Sequence, residues 1–431
     1  MELYSTNDPT VSFTLKEAVL QGLPADNGLF MPKAVPAMSA RFFDNIHNLS
    51  FQEIAQEVAL RYLQDDLSKS DITSLVQEVF DFEVPVVPVT DGIFSLELFH
   101  GPTLAFKDFG ARFMARLMSR LLQESTDKPC ILVATSGDTG SAVAQGFYQV
   151  PGIDVVILYP KGKVSEIQEK QLTTIGSNVT ALEIAGNFDD CQRLVKKAFL
   201  DPELKNRRNL TSANSINIAR LIPQSFYYFQ AYARLKYLQK PIVCSVPSGN
   251  FGNLMGGLLA KRMGLPIWKF IAGNNDNKVF FEYLETGEFE PRPSIETISN
   301  AMDVGYPSNF VRIMDLYQSN QESLKKDVQG FTFTDDQTRE IITRVYQEHG
   351  YILDPHGAIG YLGLREFLNI HPEAVGVFLG TAHPAKFLDV VTPLVSEKVE
   401  IPARLKEVLN RPKHSIPLSS EYKVFKDYLL S

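Results

Sequence analysis

The chain has 431 residues, of which 44% are hydrophobic and 21% are charged, and its formal net charge is −8. This length exceeds what one hydrophobic core usually organises, so we expect two or three domains. The net negative charge argues against nucleic acid as the main partner.

The cysteines and the hydropathy pattern indicate the compartment. Cys130, Cys191 and Cys244 stand far apart, which indicates reduced thiols and argues against a disulfide framework. The N-terminus shows neither the basic nor the apolar region of a signal peptide, and no uncharged apolar run is long enough to span a membrane. We therefore expect a cytoplasmic protein with no membrane partner.

Residues 1–90 are predicted to form a first, mainly helical segment. Residues 51–63 place apolar side chains at helical spacing, and Ser50 before them is a good N-cap. Residues 67–80 show a second amphipathic pattern. The composition changes near residues 84–91, which are rich in valine and proline, so we expect a domain boundary there.

From residue 91 onward, short apolar runs alternate with glycine-bearing turns and helical patterns. Runs that are apolar throughout are typical of strands buried on both faces of a parallel sheet, whose ligands gather at the carboxyl ends of the strands. The stretch 274–309 is rich in Asn, Pro and Gly and is predicted to be an irregular surface region. The predicted strands lie at 130–134, 154–159, 241–246, 268–272 and 374–379.

Lys107 is the first candidate for chemistry. It stands between Phe106 and Phe109, after a Gly-Pro turn and just before a helical pattern. A helix N-terminus and partial desolvation both favour the neutral amine of a lysine, which is a nucleophile for carbonyl groups. The alternative is a lysine whose aliphatic stem lies on the aromatic rings while its ammonium group is solvated.

Two loops follow a predicted strand and open a helix. Residues 248–253 read Ser-Gly-Asn-Phe-Gly-Asn, and the free amides of such a turn suit a phosphate. Residues 135–140 read Thr-Ser-Gly-Asp-Thr-Gly, and their hydroxyls suit a carboxylate, provided that Asp138 has a partner of its own. Each loop could equally be a tight turn with capping side chains. Neither ends in the Lys-Ser pair of a nucleotide-binding P-loop.

Further polar residues follow other predicted strands. Asn217 and Arg220 share a helix face, and the guanidinium group of Arg220 suits a phosphate. We favour a binding role for the stretch 211–220, because so many polar groups are costly to bury without a partner. Lys163 is explained more simply by a solvated turn. Thr381 could either bind a ring nitrogen or cap the next helix.

Several other chemistries are disfavoured. The histidines show no metal-binding spacing and the cysteines are too scattered for zinc, so we expect no metal site. No Gly-x-Ser-x-Gly motif is present, which disfavours serine hydrolysis.

A nucleophilic lysine, a phosphate cradle, a second anion site and a hydroxyl for a ring nitrogen together fit pyridoxal phosphate. The order of the motifs makes the chain similar to the threonine synthase family of bacteria and fungi. The motifs that carry this resemblance are Asp-Asn-Gly-Leu-Phe-Met-Pro at 26–32, Leu-Phe-His-Gly-Pro-Thr-Leu-Ala-Phe-Lys-Asp-Phe-Gly at 98–110, Ala-Thr-Ser-Gly-Asp-Thr-Gly at 134–140, Ser-Ala-Asn-Ser-Ile-Asn-Ile-Ala-Arg at 212–220, Pro-Ser-Gly-Asn-Phe-Gly-Asn at 247–253 and Leu-Gly-Thr-Ala-His-Pro-Ala-Lys-Phe at 379–387.

The resemblance implies an α/β fold of the fold-type II pyridoxal-phosphate class. Two three-layer halves with mostly parallel sheets, 91–240 and 241–431, would enclose the cofactor, and a mainly helical segment specific to the family, 1–90, would precede them. Lys107 would form the Schiff base with the cofactor, and Thr381 would bind the pyridine nitrogen. The residues implied to hold the cofactor phosphate are Gly249, Asn250, Phe251 and Asn253.

The implied reaction converts O-phospho-L-homoserine and water to L-threonine and phosphate, by γ-elimination of phosphate and β-addition of water. It is the last step of threonine biosynthesis, and Lys107 would move protons at Cα and Cβ. The residues expected to hold the substrate carboxylate are Thr135, Ser136 and Thr139. Because the substrate brings a second dianion, we also expect a substrate-phosphate site formed by Lys163, Asn217 and Arg220.

Three alternatives remain open. The chain could be a serine/threonine dehydratase, a phospho-lyase that releases phosphate without making threonine, or a binding protein without activity. The second phosphate site argues against the dehydratase, and Lys107 argues against the inactive protein. The sequence leaves the oligomeric state open between monomer and homodimer.

Overall fold

The computed structural model describes residues 1–123, 128–135, 137–396 and 399–431. The strands are β1 (Glu2–Ser5), β2 (Asp8–Thr14), β3 (Phe30–Pro32), β4 (Val86–Thr90), β5 (Ile93–Glu97), β6 (Pro129–Ala134), β7 (Asp154–Pro160), β8 (Val179–Ala185), β9 (Asn209–Ser212), β10 (Ile242–Pro247), β11 (Lys269–Asn274), β12 (Val328–Thr332), β13 (Val375–Gly380) and β14 (Ile416–Ser419).

The helices are α1 (Leu15–Gln21), α2 (Ala40–Asn45), α3 (Phe51–Leu63), α4 (Lys69–Val79), α5 (Lys107–Leu121), α6 (Asp138–Phe147), α7 (Glu166–Thr173), α8 (Phe188–Leu200), α9 (Pro202–Arg207), α10 (Ile218–Leu221), α11 (Phe226–Leu235), α12 (Gly252–Arg262), α13 (Val279–Thr286), α14 (Phe310–Leu316), α15 (Gln321–Asp327), α16 (Asp335–His349), α17 (Pro355–Ile370), α18 (Leu388–Val391), α19 (Ala403–Leu409) and α20 (Tyr422–Leu430). Short 3₁₀ helices lie at Ile46–Asn48, Ile222–Ser225, Lys236–Leu238, Asn300–Met302, Pro384–Phe387 and Thr392–Leu394.

Two compact units are assembled from interleaved stretches of the chain. The first unit consists of Met1 with 32–106 and 221–400, and the second consists of 2–31, 107–220 and 401–431. Each unit combines stretches that are far apart in the sequence, so a division of the chain into consecutive segments describes something different from these units. The predicted segments 1–90, 91–240 and 241–431 therefore stay a prediction about the organisation of the sequence.

The first unit is built on a six-stranded sheet in the order β12-β11-β10-β13-β5-β4. Its neighbouring strands are parallel, except that β4 runs antiparallel to β5. Every residue of β10 and β13 is buried, as expected for strands covered on both faces. Gly380 pairs with Glu97 and Pro247 pairs with Gly273, so the carboxyl ends of four strands meet at one edge.

Helices cover this sheet and extend the core. Helix α17 packs on β10, β11 and β13, while α3 packs on α4 and α11. The predicted N-cap is confirmed, because the Ser50 hydroxyl accepts a hydrogen bond from the amide of Glu53 at the start of α3. The ring of Phe80 lies between those of Phe51 and Phe226, with centroid distances of 5.2 and 6.0 Å. The predicted helices at 51–63 and 67–80 therefore contribute directly to the core.

The second unit contains a five-stranded parallel sheet in the order β14-β8-β7-β6-β9. Helix α8 packs on β6 and β7, and α5 packs on α6. All residues of β6 are buried, as predicted from its apolar run. The C-terminal strand β14 pairs with β8, and Phe425 of α20 is fully buried. A smaller sheet, in the order β2-β1-β3, completes the N-terminal part of the chain.

The prediction that residues 274–309 form an irregular surface region holds for residues 287–298, which lie in no helix or strand and are mostly exposed, and is wrong for the two ends of the stretch. This stretch contains α13, and the side chains of Asn275 and Asn309 are buried. Asparagine is normally exposed, but here the amides bond to neighbouring hydroxyls, carboxylates and backbone groups. Such hydrogen bonds offset the cost of burial, and composition alone does not reveal them.

The prediction of unpaired cysteines is confirmed, since Cys130, Cys191 and Cys244 are free and buried. Burial raises the pKa of the Cys130 thiol to about 11, which keeps it protonated near neutral pH. Among the described residues, no helix combines the length and the apolar character needed to cross a membrane.

Candidate active site

Lys107 is the first residue of α5, which confirms the predicted loop-to-helix junction. Its side chain is half-buried. The preceding residue is tied to the end of β13, because the amide of Phe106 donates to the carbonyl of Thr381 at 2.8 Å. One step earlier, Ala105 forms an antiparallel bridge with Ala382. The backbone that leads into Lys107 is therefore fixed at the carboxyl edge of the six-stranded sheet.

The loop before Lys107 contains a residue in an unfavourable conformation. Leu104 has a φ of 59°, in the left-handed region that bulky side chains rarely adopt. Its carbonyl accepts from the amide of His383 at 3.0 Å, and the carbonyl of Thr103 accepts from the buried amine of Lys386 at 2.9 Å. Such strain persists where surrounding contacts determine the backbone, and it concentrates at functional sites. Sequence reasoning missed this role of Lys386, although it lies in one of the quoted motifs.

The loop at 248–253 presents unused amides at the N-terminus of α12. Phe251 precedes the helix at the N-cap position with a φ of 56°, and its side chain makes no capping hydrogen bond. Within the described part of the chain, the amides of residues 249–252 donate to no protein acceptor. Consecutive amides at a helix N-terminus favour an anion.

Neighbouring segments fix the shape of this loop. A Cβ atom on Gly249 would meet the Cα of Met302 at 2.8 Å, so only glycine fits there. The side-chain oxygen of Asn250 accepts from the amide of Ser308 at 2.9 Å. The ring of Phe251 is buried against that of Phe280, with centroids 4.4 Å apart.

The side chain of Asn253 shapes the loop from inside. Its Oδ1 accepts from the Ser248 hydroxyl at 2.9 Å and from the amide of Leu254 at 3.0 Å. Its Nδ2 donates to the carbonyl of Pro247 at 2.9 Å. Because the Asn253 side chain is occupied by these bonds, a ligand would contact the backbone of the loop more than this side chain.

Thr381 follows β13 directly and is 5% exposed. Among the described residues, no protein group forms a hydrogen bond with its hydroxyl. The alternative role as the next helix cap belongs to His383, whose Nδ1 accepts from the amide of Ala385 at 3.1 Å. The Thr381 hydroxyl therefore keeps its hydrogen-bonding capacity at the strand end.

The loop at 135–140 in the second unit is closed by its own first side chain. The Thr135 hydroxyl accepts from the amides of Gly137 at 3.0 Å and Gly140 at 2.9 Å. Asp138 accepts from Nε2 of Gln168 at 3.1 Å, so the expected partner of this carboxylate is present. Sequence reasoning did not identify Gln168, which comes from a helix 30 residues later in the chain.

The remaining residues predicted for this loop stand as follows. Thr139 is half-buried on the first turn of α6. Ser136 lies outside the described residues. Lys163 is exposed after β7, where its amide donates to the carbonyl of Pro160, as in a solvated turn. The assignment of these residues to the substrate stays a prediction.

Asn217 is buried, and its side chain forms three hydrogen bonds inside the protein. Its Nδ2 donates to the carbonyls of Val19 at 3.0 Å and Ser212 at 3.1 Å, and its Oδ1 accepts from the amide of Ala219 at 3.0 Å. These bonds explain how the amide is tolerated in the interior. A contact of Asn217 with substrate phosphate stays a prediction.

Arg220 is 3% exposed and lies near Asp108, which is fully buried at the start of α5. Burial lowers the pKa of Arg220 to about 10, and the charge of Asp108 opposes this shift. Its Nη1 donates to the carbonyl of Ala213. A Cβ atom on Gly110 would meet Nε and the carbonyl oxygen of Arg220 at 2.8 Å. The structure thus packs Arg220 against the helix that begins with Lys107.

A second buried arginine lies behind the 248–253 loop and was missed by sequence reasoning. Arg312 is fully buried and donates to Oδ1 of Asn309 at 2.8 Å, and burial lowers its pKa to about 9. Asn309 in turn donates through Nδ2 to the carbonyl of Asn250 at 3.1 Å. The sequence feature that could have indicated this residue is an arginine within the largely apolar sequence of α14, because a buried charge needs a partner.

The fold and these loops define a pyridoxal-phosphate-dependent enzyme. Three successive family models match the chain: threonine synthase N terminus at residues 2–80, pyridoxal-phosphate dependent enzyme at 90–381, and threonine synthase, C-terminal, at 357–429. The chain belongs to the threonine synthase family.

Individual relatives agree with this assignment. The chain is 44% identical to threonine synthase of Escherichia coli over 97% of each chain, and 34% identical to that of Saccharomyces cerevisiae over 94% of this chain and 92% of the relative. The crystal structure of the Escherichia coli enzyme matches with a TM-score of 0.92 at 41% identity, covering 100% of this chain and 99% of that one. A pyridoxal-phosphate-bound threonine synthase from Brucella melitensis matches with a TM-score of 0.94 at 36% identity and the same coverage.

These comparisons confirm the predicted family, the fold-type II class, the threonine synthase function and the cofactor, pyridoxal 5′-phosphate. The chain is a lyase that cleaves carbon–oxygen bonds. Its residues fit the cofactor: the unused amides at 249–252 suit the phosphate, and the Thr381 hydroxyl suits a ring nitrogen.

Proposed function

We propose that the chain converts O-phospho-L-homoserine and water to L-threonine and phosphate in the cytoplasm. The proposal is carried by one observation: N-terminal and C-terminal threonine synthase segments flank a pyridoxal-phosphate enzyme segment in a single chain. The substrate is a small molecule, and we propose neither a nucleic acid nor a membrane partner.

Bound pyridoxal phosphate withdraws electrons from the amino acid attached to it, which weakens bonds at Cα and Cβ and lets the Cγ phosphate leave. We assign Lys107 to hold the cofactor's aldehyde carbon. Once the substrate amine replaces it there, the Lys107 amine is free to move protons at Cα and Cβ.

We assign Gly249, Asn250, Phe251 and Asn253 to the cofactor phosphate. The first three would bind through backbone amides, while Asn253 would act by holding the loop in shape, since its side chain already bonds to Ser248, Leu254 and Pro247. We assign the Thr381 hydroxyl to the pyridine nitrogen. A hydroxyl leaves this nitrogen largely unprotonated, which moderates electron withdrawal.

For the substrate, we assign Thr135, Ser136 and Thr139 to the carboxylate. The Thr135 hydroxyl would serve mainly to order the loop, because it already accepts two amides. We assign Lys163, Asn217 and Arg220 to the substrate phosphate. The support for Arg220 is its permanent charge; its burial beside Asp108 means that replacement should also disturb α5.

The proposal is tested by incubating the holoenzyme with O-phospho-L-homoserine while phosphate and threonine are followed together. We expect the two products in equal amounts. Phosphate without threonine would make the chain a phospho-lyase, and deamination of serine or threonine without phosphohomoserine turnover would make it a dehydratase. No turnover of any of these compounds would support a binding protein without activity.

A further inference from the structure

The turn at 299–303 lies directly against the predicted phosphate loop. A Cβ atom on Gly249 would meet the Cα of Met302 at 2.8 Å and the carbonyl oxygen of Ala301 at 2.9 Å. These are backbone atoms, which cannot rotate away as the end of a side chain can. Any shift of the turn toward or away from Gly249 therefore changes the room available to the loop.

His356 holds this turn by one specific hydrogen bond. The amide of Ala301 donates to Nε2 of His356 at 3.2 Å. Because a backbone amide can only donate, Nε2 must carry the lone pair and Nδ1 must carry the proton. Nδ1 lies 2.8 Å from Oδ1 of Asp354 and donates to it. Asp354 thus selects the ring form of His356 that can accept from Ala301.

Asp354 connects this histidine to a rigid element. It is the N-cap of α17, and its carboxylate accepts from the amides of His356 at 3.0 Å and Gly357 at 3.1 Å. Helix α17 has 16 residues and packs on the six-stranded sheet, mainly on β10, β11 and β13. The side chains of Asp354 and His356 are each 3% exposed, so water does not compete effectively for these bonds.

A second set of bonds braces the turn from its far end. The carboxylate of Asp303 accepts from Nδ2 of Asn275 at 2.9 Å, from Nδ2 of Asn277 at 3.0 Å and from the Thr297 hydroxyl at 2.7 Å. Asn275 comes directly after β11, at the same sheet edge as the 248–253 loop. The turn is thus fixed at Asp303 by one strand end and at Ala301 by α17.

We propose that Asp354 and His356 are positioning residues for the cofactor-phosphate loop, acting through the amide of Ala301 and the backbone contact on Gly249. This inference rests on the proposed role of the 248–253 loop. The pair does not touch the cofactor in this scheme. It sets the place of Gly249, and with it the direction of the loop amides.

The proposal is tested with two substitutions of His356 that differ in reach. His356→Asn keeps a donor for Asp354, but its side chain is too short to accept from Ala301. His356→Gln places an amide oxygen near the position of Nε2 and restores the acceptor. His349→Asn, on the exposed end of α16, is the matched control.

The readout is the dissociation constant of pyridoxal 5′-phosphate and of pyridoxal, which lacks the phosphate. Both are measured by absorbance titration of the full-length protein after release of its cofactor. We expect His356→Asn to weaken pyridoxal phosphate about tenfold, in line with a buried amide left without its acceptor, and pyridoxal less than about twofold. We expect His356→Gln to recover most of the loss, and His349→Asn to change neither constant.

Equal weakening of both compounds by His356→Asn, no weakening of either, or failure of His356→Gln to recover binding would overturn the proposal. Failure of the underlying assignment looks different. If the unaltered protein binds pyridoxal as tightly as pyridoxal phosphate, or Gly249→Ala leaves pyridoxal phosphate binding unchanged, the loop is not the phosphate site.

Discussion

The loops at 248–253 and 135–140 both connect a buried parallel strand to a helix through glycines and small polar residues, yet they use their amides differently. In the 135–140 loop, the Thr135 hydroxyl takes the amides of Gly137 and Gly140. In the 248–253 loop, the side chain of Asn253 turns inward, and across the described chain the amides of 249–252 have no protein acceptor.

The same sequence pattern, a buried strand followed by glycines and small polar residues and then a helix, can therefore form two kinds of turn. In the 135–140 loop, the hydroxyl before the glycines accepts from the loop's own amides, which orders the loop and leaves fewer of its amides for a ligand. An asparagine after the glycines braces the loop from below and leaves consecutive donors for a doubly charged group. The following changes break or sharpen this contrast.

The largest effect should come from Lys107→Ala, which leaves both loops intact and removes the nucleophile. We expect turnover to fall about a thousandfold or more, while pyridoxal phosphate still binds noncovalently through the 248–253 loop. Steady-state kinetics and equilibrium dialysis measure the two properties. Lys107→Arg, which keeps the charge, should behave alike; near-normal turnover in either variant would refute the role of this lysine.

Matched glycine substitutions should distinguish the functions of the two loops. Gly249→Ala forces a Cβ atom against backbone of the 299–303 turn, so we expect pyridoxal phosphate affinity to fall about 10- to 100-fold. Gly137→Ala is strained by its φ of 153° and meets the side chain of Gln168, which disturbs the partner of Asp138. We expect it to raise the KM for substrate while cofactor affinity stays within about threefold. The reverse pattern would exchange the roles of the two loops.

Thr135→Val tests whether a hydroxyl closes the second loop. The side chain keeps its shape but leaves the amide of Gly137 without an acceptor and the amide of Gly140 with only the carbonyl of Gly137. We therefore expect a loss of about 1–3 kcal/mol in the free energy of unfolding. Urea unfolding measures it, with Thr180→Val on the half-buried strand β8 as control. A stability equal to that of the control would show that these bonds are dispensable.

A change outside both loops should give the smallest effect on cofactor binding and serves as the baseline. Lys426 and Tyr422 of α20 lower the pKa of Asp201 from 3.8 to about 2 by hydrogen bonding. Because the folded-state pKa is lowered, the ionised form stabilises the fold above about pH 4, and this contribution is lost as the pH falls toward 2.

Asp201→Asn should therefore lower stability at neutral pH and remove this pH dependence, without altering the affinity for pyridoxal phosphate. Urea unfolding between pH 7 and 2 measures both effects, and the exposed Asp91→Asn is the control. An unchanged slope between pH 4 and 2 would show that Asp201 is not the group responsible.

The sequence predicts those parts of this site that depend on local pattern. The alternation of apolar runs and glycine turns predicts the buried parallel strands and places Lys107 at the start of a helix. The same pattern could not show whether Thr135 faces a ligand or its own loop, because that depends on a rotamer.

Contacts between segments that are distant in the chain could not be predicted from the sequence either. The partnership of Asp138 with Gln168 spans 30 residues, and that of Ala301 with His356 spans 55. Asn275 is buried although the polar composition of its stretch predicted exposure. Its side-chain amide donates to residues more than 20 positions away in the chain. Such pairings are set by tertiary packing, which no local spacing encodes.

The central claim is that Lys107 carries the cofactor. Borohydride treatment of the holoenzyme fixes the carbon–nitrogen bond between cofactor and protein, and peptide mapping by mass spectrometry then locates it. The account predicts one phosphopyridoxyl group per chain, on the peptide that contains Lys107. A label on any other lysine, or no label on a protein that holds its cofactor, would contradict it.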